Sequence, residues 1–248
     1  MRALITGASS GIGRDMARYL SKLGYDLVIV ARNREQLEQL KSELKTKVEV
    51  VAMDLSKNEN CYKLHEEVQN IDILINNAGF GEFGKFVESD LEKEISLIQT
   101  NITALHILTK LYLKDMVKEN KGHILNVASI AGFMPGPLMA TYYASKNYVV
   151  ALTRAIRKEL KKMKSNVKIS LLCPGPVNTN FNRVANVNFK ARGLSSEYVA
   201  KYAIDRTIKN RFLIIPGIGI KLTKFFSKVL PSNILEEFCY YIQESKKR

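Results

Sequence analysis

Short, β-rich apolar runs alternate with amphipathic stretches along most of the chain. Several runs are apolar throughout, as expected for strands of a parallel sheet that helices cover on both faces. The predicted strands are Ala3–Thr6, Leu27–Ala31, Val48–Met53, Ile73–Asn76, Ile124–Ala128, Lys168–Cys173 and Phe212–Ile215. The predicted helices are about Ile12–Leu23, Arg34–Leu44, Glu59–Val68, Leu91–Lys118, Ala140–Met163 and Glu197–Lys209. This alternation predicts an α/β fold with a doubly wound, parallel, seven-stranded sheet flanked by helices.

The last third departs from this alternation. Residues 178–194 have little periodicity and several asparagines, which predicts a long loop of the kind that often serves as a lid or binding loop. Residues 217–248 then carry two helical patterns, which predict a C-terminal extension. The first has an apolar face and lysines on another face, namely Ile218, Leu222, Phe225, Phe226 and Val229 with Lys221, Lys224 and Lys228. Pro231 ends it, and Asn233 with Glu236 predicts the capped start of a last helix that bears Ile234, Phe238 and Ile242.

The bulk properties indicate one domain. The 248 residues contain no linker rich in Pro, Gly or Ser, so a single domain over 1–248 is predicted. No apolar run approaches the ~20 residues of a membrane span. The first strand follows Met1 at once, which leaves no room for a signal peptide and predicts a cytoplasmic protein.

The scattered Cys61, Cys173 and Cys239 indicate reduced, buried thiols, and the three histidines lack metal-ligand spacing, so no metal site is predicted.

The chain is strongly basic. Its formal net charge is +14, from 38 basic and 24 acidic residues. Such a surplus attracts polyanions and anionic membranes, and it suits a cofactor that carries phosphates. The densest stretch, Arg154–Lys168, is interpreted as a solvated face. No nucleic-acid partner is predicted, because no interleaving of aromatic and basic residues and no nucleic-acid module accompanies it.

A glycine motif joins the first predicted strand to the first helix. Gly7 allows a tight turn, and Gly11 and Gly13 let the backbone approach a phosphate and let the helix pack on the strand. The free N–H groups and positive dipole of the helix N-terminus favour a pyrophosphate there. The motif therefore predicts a dinucleotide site, although a glycine-rich turn without a ligand would have the same residue pattern.

The end of the second strand bears on which dinucleotide binds. A cofactor with a free ribose 2′-hydroxyl usually meets an acid at this point, but Arg32 stands here. A guanidinium would pair with a 2′-phosphate, so NADP(H) is preferred over NAD(H). The alternative for Arg32 and Arg34 is that both side chains face solvent at the start of the next helix. Asp54, after the third strand, has two interpretations: it accepts a hydrogen bond from the adenine amino group, or it caps the next helix.

Tyr142 and Lys146 are the candidate proton-transfer pair. At positions i and i+4 they share one helix face. A free tyrosine, with a pKa near ~10, is a poor proton shuttle at neutral pH, and a neighbouring ammonium is expected to lower that pKa. Ser129, at the end of a strand, is predicted to bind the reacting oxygen. Tyr143 lacks the i+4 relation to Lys146 and is predicted to pack or line the site.

Together these segments resemble the short-chain dehydrogenase/reductase family, from the first strand to the long loop. The motifs that carry the resemblance are Thr6-Gly7-Ala8-Ser9-Ser10-Gly11-Ile12-Gly13, Asp54-Leu55, Asn76-Asn77-Ala78-Gly79, Asn101, Ser129, Tyr142-Tyr143-Ala144-Ser145-Lys146 and Pro174-Gly175-Pro176-Val177-Asn178-Thr179. The resemblance implies a Rossmann-type domain with the simple-oxidoreductase core of the family. Residues 217–248 resemble the C-terminal extension of a bacterial subgroup.

The resemblance also assigns roles by position. The implied catalytic residues are Asn101, Ser129, Tyr142 and Lys146, with Asn101 anchoring a water chain that resupplies protons through Lys146. The implied cofactor-binding residues are Gly7, Ser9, Ser10, Gly11, Ile12, Gly13, Arg32, Asp54, Leu55, Asn77, Ala78, Gly79, Tyr142, Lys146, Pro174, Gly175, Val177 and Thr179.

The function implied is an NADP(H)-dependent oxidoreductase of the carbonyl reductase or alcohol dehydrogenase type. The alternative is a non-catalytic NADP(H)-binding sensor or regulatory protein, since a fold does not fix a function. The intact Ser129, Tyr142 and Lys146 argue against that alternative, because a sensor has no need of a proton shuttle.

The substrate and assembly are predicted more coarsely. The pocket is expected to comprise residues 131–139, Tyr143 and 181–194, and its side chains Ala131, Phe133, Met134, Leu138 and Met139 favour an apolar or amphipathic carbonyl or alcohol. The resemblance implies a homodimer or homotetramer formed through the helices that contain Asn101 and Tyr142. The segment Ile218–Leu230 is interpreted as packing over the pocket or on a neighbouring subunit, with contact to an anionic membrane surface as the less favoured alternative.

Overall fold

A computed structural model gives the fold, and it describes residues 1–179, 181, 185 and 193–245. The strands are β1 (Arg2–Thr6), β2 (Asp26–Ala31), β3 (Val48–Ala52), β4 (Ile73–Asn76), β5 (His123–Val127), β6 (Lys168–Leu172), β7 (Val177–Asn178), β8 (Leu194–Ser195) and β9 (Leu213–Ile214). Seven of them form one parallel sheet in the order β3-β2-β1-β4-β5-β6-β9. The predicted α/β fold and its seven-stranded sheet are therefore confirmed.

Helices cover both faces of this sheet. They are α1 (Gly11–Lys22), α2 (Arg34–Glu43), α3 (Asn58–Glu67), α4 (Leu91–Ile98), α5 (Leu105–Glu119), α6 (Ala140–Lys162), α7 (Ser196–Ile208), α8 (Ile218–Val229) and α9 (Ser232–Glu244). Successive side chains of a strand point to opposite faces. Ala3 and Ile5 thus join a core with α1, α2 and α7, whereas Leu4 joins a second core with α3, α5 and α6. No helix in the described ranges is long and apolar enough to cross a bilayer.

A chain of polar side chains crosses the second core. Asn76 on β4 donates from its amide to Thr109 of α5 and to Asn126 of β5, each at 2.9 Å. Asn126 in turn donates to the hydroxyl of Thr153 on α6 at 3.1 Å. All four residues are buried, so hydrogen bonds offset part of the cost of removing these groups from water.

The helix predicted over Leu91–Lys118 is divided into three parts. Asp90 caps α4 by accepting from the backbone N–H groups of Glu92 and Lys93. A π-helical segment, Gln99–Ala104, separates α4 from α5, and Asn120 in the left-handed conformation ends α5. No proline or glycine interrupts residues 91–118, so the sequence pattern did not reveal this division.

The segments near the C-terminus differ from the prediction in two respects. The two-residue strands β7 and β8 pair in parallel and bracket the predicted loop, most of which lies outside the described residues. The last helix starts at Ser232, so Asn233 is already inside α9, and no side chain caps its first turn. The predicted cap by Asn233 with Glu236 is therefore wrong.

Candidate functional site

A cleft of about 450 Å³ opens at the carboxyl ends of the parallel strands. β1 lies between β2 and β4, where the strand order reverses, and α/β sheets bind ligands at such a point. The predicted site residues that line the cleft are Gly7, Ser9, Ser10, Gly11, Ile12, Arg32, Asp54, Leu55, Asn77, Ala78, Gly79, Ser129, Tyr142, Lys146, Pro174, Gly175, Val177 and Thr179. Gly13 and Asn101 lie behind this lining.

The turn between β1 and α1 requires its glycines. Gly7 and Gly11 have φ of +66° and +55°, the left-handed region that favours glycine. A Cβ on Gly13 would lie 2.4 Å from the Gly7 carbonyl oxygen, so Gly13 allows α1 to start close under the turn. Ser10, the N-cap of α1, makes no side-chain capping hydrogen bond. The first N–H groups of the helix therefore lack a side-chain cap, which fits the binding of an anionic pyrophosphate.

Thr6 holds the glycine turn against the end of β4. Its hydroxyl oxygen accepts from the backbone N–H groups of Asn77 and Ala78, each at 3.0 Å. The Asn77 side-chain amide donates to the carbonyl oxygens of Thr6 and Gly7 at 3.0 and 3.2 Å. Thr6 was not among the predicted site residues, although its place at the strand end before Gly7 was available as a signal.

Arg32 and Arg34, near the end of β2, have different positions relative to the cleft. Arg32 is exposed and lines the cleft. Asn33 caps α2 by accepting from the Gln36 backbone at 2.9 Å, and Arg34 lies on the helix surface 3.8 Å from the Glu38 carboxylate.

Asp54 accepts from the backbone and hydroxyl of Ser56. Lys57, not Asp54, is the N-cap of α3, so the capping alternative for Asp54 is wrong.

Ser129, Tyr142 and Lys146 meet at the inner end of the cleft. Ser129 follows β5 and lies beside Tyr142 of α6, and its hydroxyl accepts from the Ala131 backbone at 3.2 Å and donates to the Pro174 carbonyl oxygen at 3.5 Å. Lys146, one turn later on α6, is buried, and its ammonium donates to the carbonyl oxygen of Val127 at 3.1 Å. The ammonium nitrogen lies 5.8 Å from the centre of the Tyr142 ring. The i, i+4 spacing thus brings the phenol and the ammonium to one wall of the cleft.

Burial changes the acidity of this pair. It raises the pKa of Tyr142 to about 12, and the neighbouring Ser129 hydroxyl opposes the rise. Burial lowers the pKa of Lys146 to about 8. The prediction that Lys146 lowers the pKa of Tyr142 is therefore wrong for the polypeptide by itself, because desolvation of the phenolate outweighs the other effects. At neutral pH the tyrosine is a phenol and the lysine is a cation.

Asn101 lies in the π-helical segment and is buried. Its side-chain oxygen accepts from the Phe80 backbone at 3.0 Å, and its amide donates to the Phe80 carbonyl at 2.9 Å and the Ser145 hydroxyl at 3.1 Å. A Cβ on Gly79 would lie 2.8 Å from the Asn101 oxygen and 3.4 Å from the Lys146 ammonium. Both side chains thus pack against the same glycine. A water chain from Asn101 to Lys146 stays a prediction.

The wall beyond Tyr142 is largely apolar. Ala131, Met139, Tyr143 and Phe181 line it, and the Phe181 ring lies 5.3 Å from the Tyr142 ring. The other predicted lining residues are not part of it: Phe133 lies under Arg154 and Lys224, Met134 packs against Leu235 and Cys239, and Leu138 is buried outside the lining. Of the other residues in the predicted 181–194 wall, only Ala185 and 193–194 are among the described residues. Ala185 packs on Met139.

Gln243 of α9 reaches this wall and was missed by the sequence analysis. Its side-chain amide donates to the Tyr143 hydroxyl, and it is almost fully buried. On its other side, Tyr143 is wedged against Gly136, where a Cβ would lie 2.1 Å from the ring. Both helices of the C-terminal extension thus pack near the pocket, α9 through Gln243 and α8 through Ile220, which lies against Gly175, whereas the predicted apolar face of α8 is exposed.

Comparison with known proteins agrees with this geometry. A family model described as short chain dehydrogenase matches residues 1–189. Estradiol 17-beta-dehydrogenase 11 of Rattus norvegicus is 32% identical over 242 residues, which cover 94% of this chain and 80% of the relative.

Solved structures give the same result. A short-chain dehydrogenase from Sphingobium yanoikuyae in complex with NADPH has a TM-score of 0.81 and 30% identity, with 88% of each chain covered. A short chain dehydrogenase/reductase from Burkholderia phymatum in complex with NAD has a TM-score of 0.82 and 26% identity, covering 91% of this chain and 92% of that one. With the glycine turn and the parallel sheet in place, the chain belongs to the short-chain dehydrogenase/reductase family of oxidoreductases.

Proposed function

We propose that the protein is an NADP(H)-dependent oxidoreductase that transfers a hydride between a nicotinamide and a carbonyl or secondary alcohol. One observation carries the proposal: the Tyr142 phenol, the Ser129 hydroxyl and the Lys146 ammonium converge in the cleft that starts at the glycine turn. A bound nicotinamide supplies the hydride. The glycine turn and the N-terminus of α1 fit its pyrophosphate.

Tyr142 is the general acid in the reductive direction. As a phenol at neutral pH it donates its proton to the oxygen that gains negative charge. Ser129 donates a hydrogen bond to the same oxygen and holds it beside Tyr142. The charged Lys146, whose nitrogen lies 5.8 Å from the centre of the Tyr142 ring, stabilises the phenolate that remains, because a nearby cation lowers the energy of a developing anion most strongly where water is excluded.

Arg32 supports NADP(H) over NAD(H). It lines the cleft at the end of β2, where a guanidinium can pair with a 2′-phosphate. Arg34 is held on the α2 surface beside Glu38 and is not part of this proposal. The two similar structures described above bind different cofactors, so the preference rests on Arg32 itself.

The substrate is an apolar or amphipathic carbonyl compound or alcohol. Met139, Tyr143 and Phe181 form an apolar wall beside Tyr142. One relative is named Estradiol 17-beta-dehydrogenase 11, and estradiol is an apolar alcohol, which supports the same substrate class. We also infer one domain over 1–248, a cytoplasmic location, and a homodimer or homotetramer through the helical segments that contain Asn101 and Tyr142.

Replacement of Tyr142 tests the proposal. Tyr142→Phe should lower kcat/KM for a panel of ketones with NADPH by about 10²–10⁴-fold, because it removes the proton donor, while the Kd for NADPH stays unchanged. Tyr143→Phe is the matched control and should keep a kcat near the wild-type value with small ketones. Equal rates for wild type and Tyr142→Phe would refute the assignment. Tight NADPH binding by the wild type without turnover of any ketone, aldehyde or alcohol would instead indicate the sensor alternative.

A further inference from the structure

The two C-terminal helices leave large apolar faces uncovered. On α8, Ile218 is 78% exposed, Phe225 60% and Val229 64%. On α9, Ile234 is 51% exposed and Tyr241 67%. The full set of exposed apolar side chains is Ile218, Leu222, Phe225, Phe226 and Val229 on α8 and Ile234, Phe238, Tyr241 and Ile242 on α9. Soluble monomers rarely leave patches of this size in water.

The exposed area matches one side of a protein interface. A large apolar or aromatic side chain carries about 150–250 Å², so nine such side chains exposed by roughly half amount to on the order of 800 Å². A stable interface of standard size buries about 800 Å² per partner. A second protein surface would therefore be sufficient to cover both helices.

The charges beside the two faces have opposite signs. The α8 segment contains three lysines and no acid, and the α9 segment contains three glutamates and no basic residue. Lys221 is three residues after Ile218 and four before Phe225, so it borders the apolar face of α8. Glu237 has the same spacing to Ile234 and Tyr241 on α9. Lys221 and Glu237 are both exposed.

We propose that this surface binds a second copy of the chain, with α8 of one subunit against α9 of its partner. A two-fold interface brings the same residues together twice. Each apolar face then covers the other, and Lys221 of each copy faces the carboxylate that borders α9 in the second copy. An anionic bilayer fits less well, because the glutamates that border α9 would be repelled by it.

Analytical ultracentrifugation of the full chain tests the proposal. Phe225→Glu should halve the mass of the assembly, because it places a charge in the centre of the covered face. Tyr62→Glu, which replaces an exposed aromatic side chain on α3, is the matched control and should leave the mass unchanged. If wild type and Phe225→Glu have the same mass, the proposal is overturned.

Charge reversal tests the pairing of the helices. Lys221→Glu and Glu237→Lys should each raise the Kd of this association step by about 10-fold, since each reversed pair occurs twice. The double variant should restore the wild-type Kd. Weakening without restoration would overturn the proposed pairing. Binding to vesicles of phosphatidylglycerol and phosphatidylcholine tests the membrane alternative. If Phe225→Glu abolishes vesicle binding but leaves the mass of the assembly unchanged, the surface binds a membrane and the proposal is overturned.

Discussion

We expect the charge of Arg32 to set the preference for NADP(H) over NAD(H). Arg32→Asp should lower kcat/KM with NADPH by about 10–100-fold, since hydrogen bonds to charged groups contribute about 1.5–3 kcal/mol, and should raise kcat/KM with NADH. Arg34→Asp is the control, because Arg34 lies on the α2 surface beside Glu38. Steady-state kinetics with both cofactors give the ratio of kcat/KM with NADPH to kcat/KM with NADH. A similar shift in both variants would mean that the local charge, not the position of Arg32, sets the preference.

Lys146 is destabilising while it is charged. Its pKa is about 8 in the folded chain, against an ordinary value of 10.5, so the unfolded chain binds more protons between these two values and stability rises with pH across that window. Below pH 8 the cost is on the order of 3 kcal/mol, at about 1.4 kcal/mol for each pH unit of the shift. Above the unfolded value it disappears.

Lys146→Met should therefore be inactive but more stable than the wild type at pH 7, by roughly 1–3 kcal/mol. The gain should shrink as the pH rises from about 8 towards 10.5. Urea unfolding of both proteins at several pH values measures the difference, and other titrating groups cancel in it. A stability difference that does not change with pH would show that Lys146 is not desolvated in the folded state.

At the level of elements, α9 positions the substrate wall through Gln243. Gln243→Leu removes the donor to the buried Tyr143 hydroxyl, so the ring can shift. We expect KM for bulky ketones to rise about 3–10-fold, the effect of one lost buried hydrogen bond. The kcat for small ketones and the Kd for NADPH should be unchanged. Tyr143→Phe should have the same effect, and the double variant should add nothing. Additive losses would show that the two side chains act separately.

The predictability of the elements follows from burial. The seven strands of the main sheet were predicted to within one residue at each end, because most of them are short apolar runs buried on both faces. The edge strand β3 is only partly buried, and the two-residue strands β7 and β8 were not predicted. The π-helical segment around Asn101 was not predicted, because no proline or glycine marks it in the sequence. Asn233 was misplaced because several polar residues follow Pro231, and the sequence does not tell which of them starts the helix.

The site was predictable where it depends on local spacing. Tyr142 and Lys146 share a helix face, and the glycine turn joins a strand to a helix, so both could be recognised from the chain alone. The contact between Gln243 and Tyr143 joins residues 100 positions apart. Only the path of the C-terminal extension brings them together. The acidity of Tyr142 was mispredicted because desolvation depends on the packing of the whole cleft.

At the scale of the whole molecule, the net charge of +14 affects how fast the cofactor binds. A positive field steers a polyphosphate towards the cleft, and salt screens that field. Raising the ionic strength from about 0.01 M to about 0.3 M shortens the screening length from about 30 Å to less than 10 Å, so KM for NADPH should rise several-fold with kcat unchanged. NADH, with less charge, should respond less. Equal responses would show that steering has no part in cofactor binding.

The hydrogen bonds that join Asn76, Thr109, Asn126 and Thr153 affect which register the strands adopt during folding. If β4 or β5 slid by a single position, every side chain would change face, and these amides would be left among aliphatic groups without donors or acceptors. Intermediates with a shifted register are therefore higher in free energy. The network thus favours the native strand register during folding.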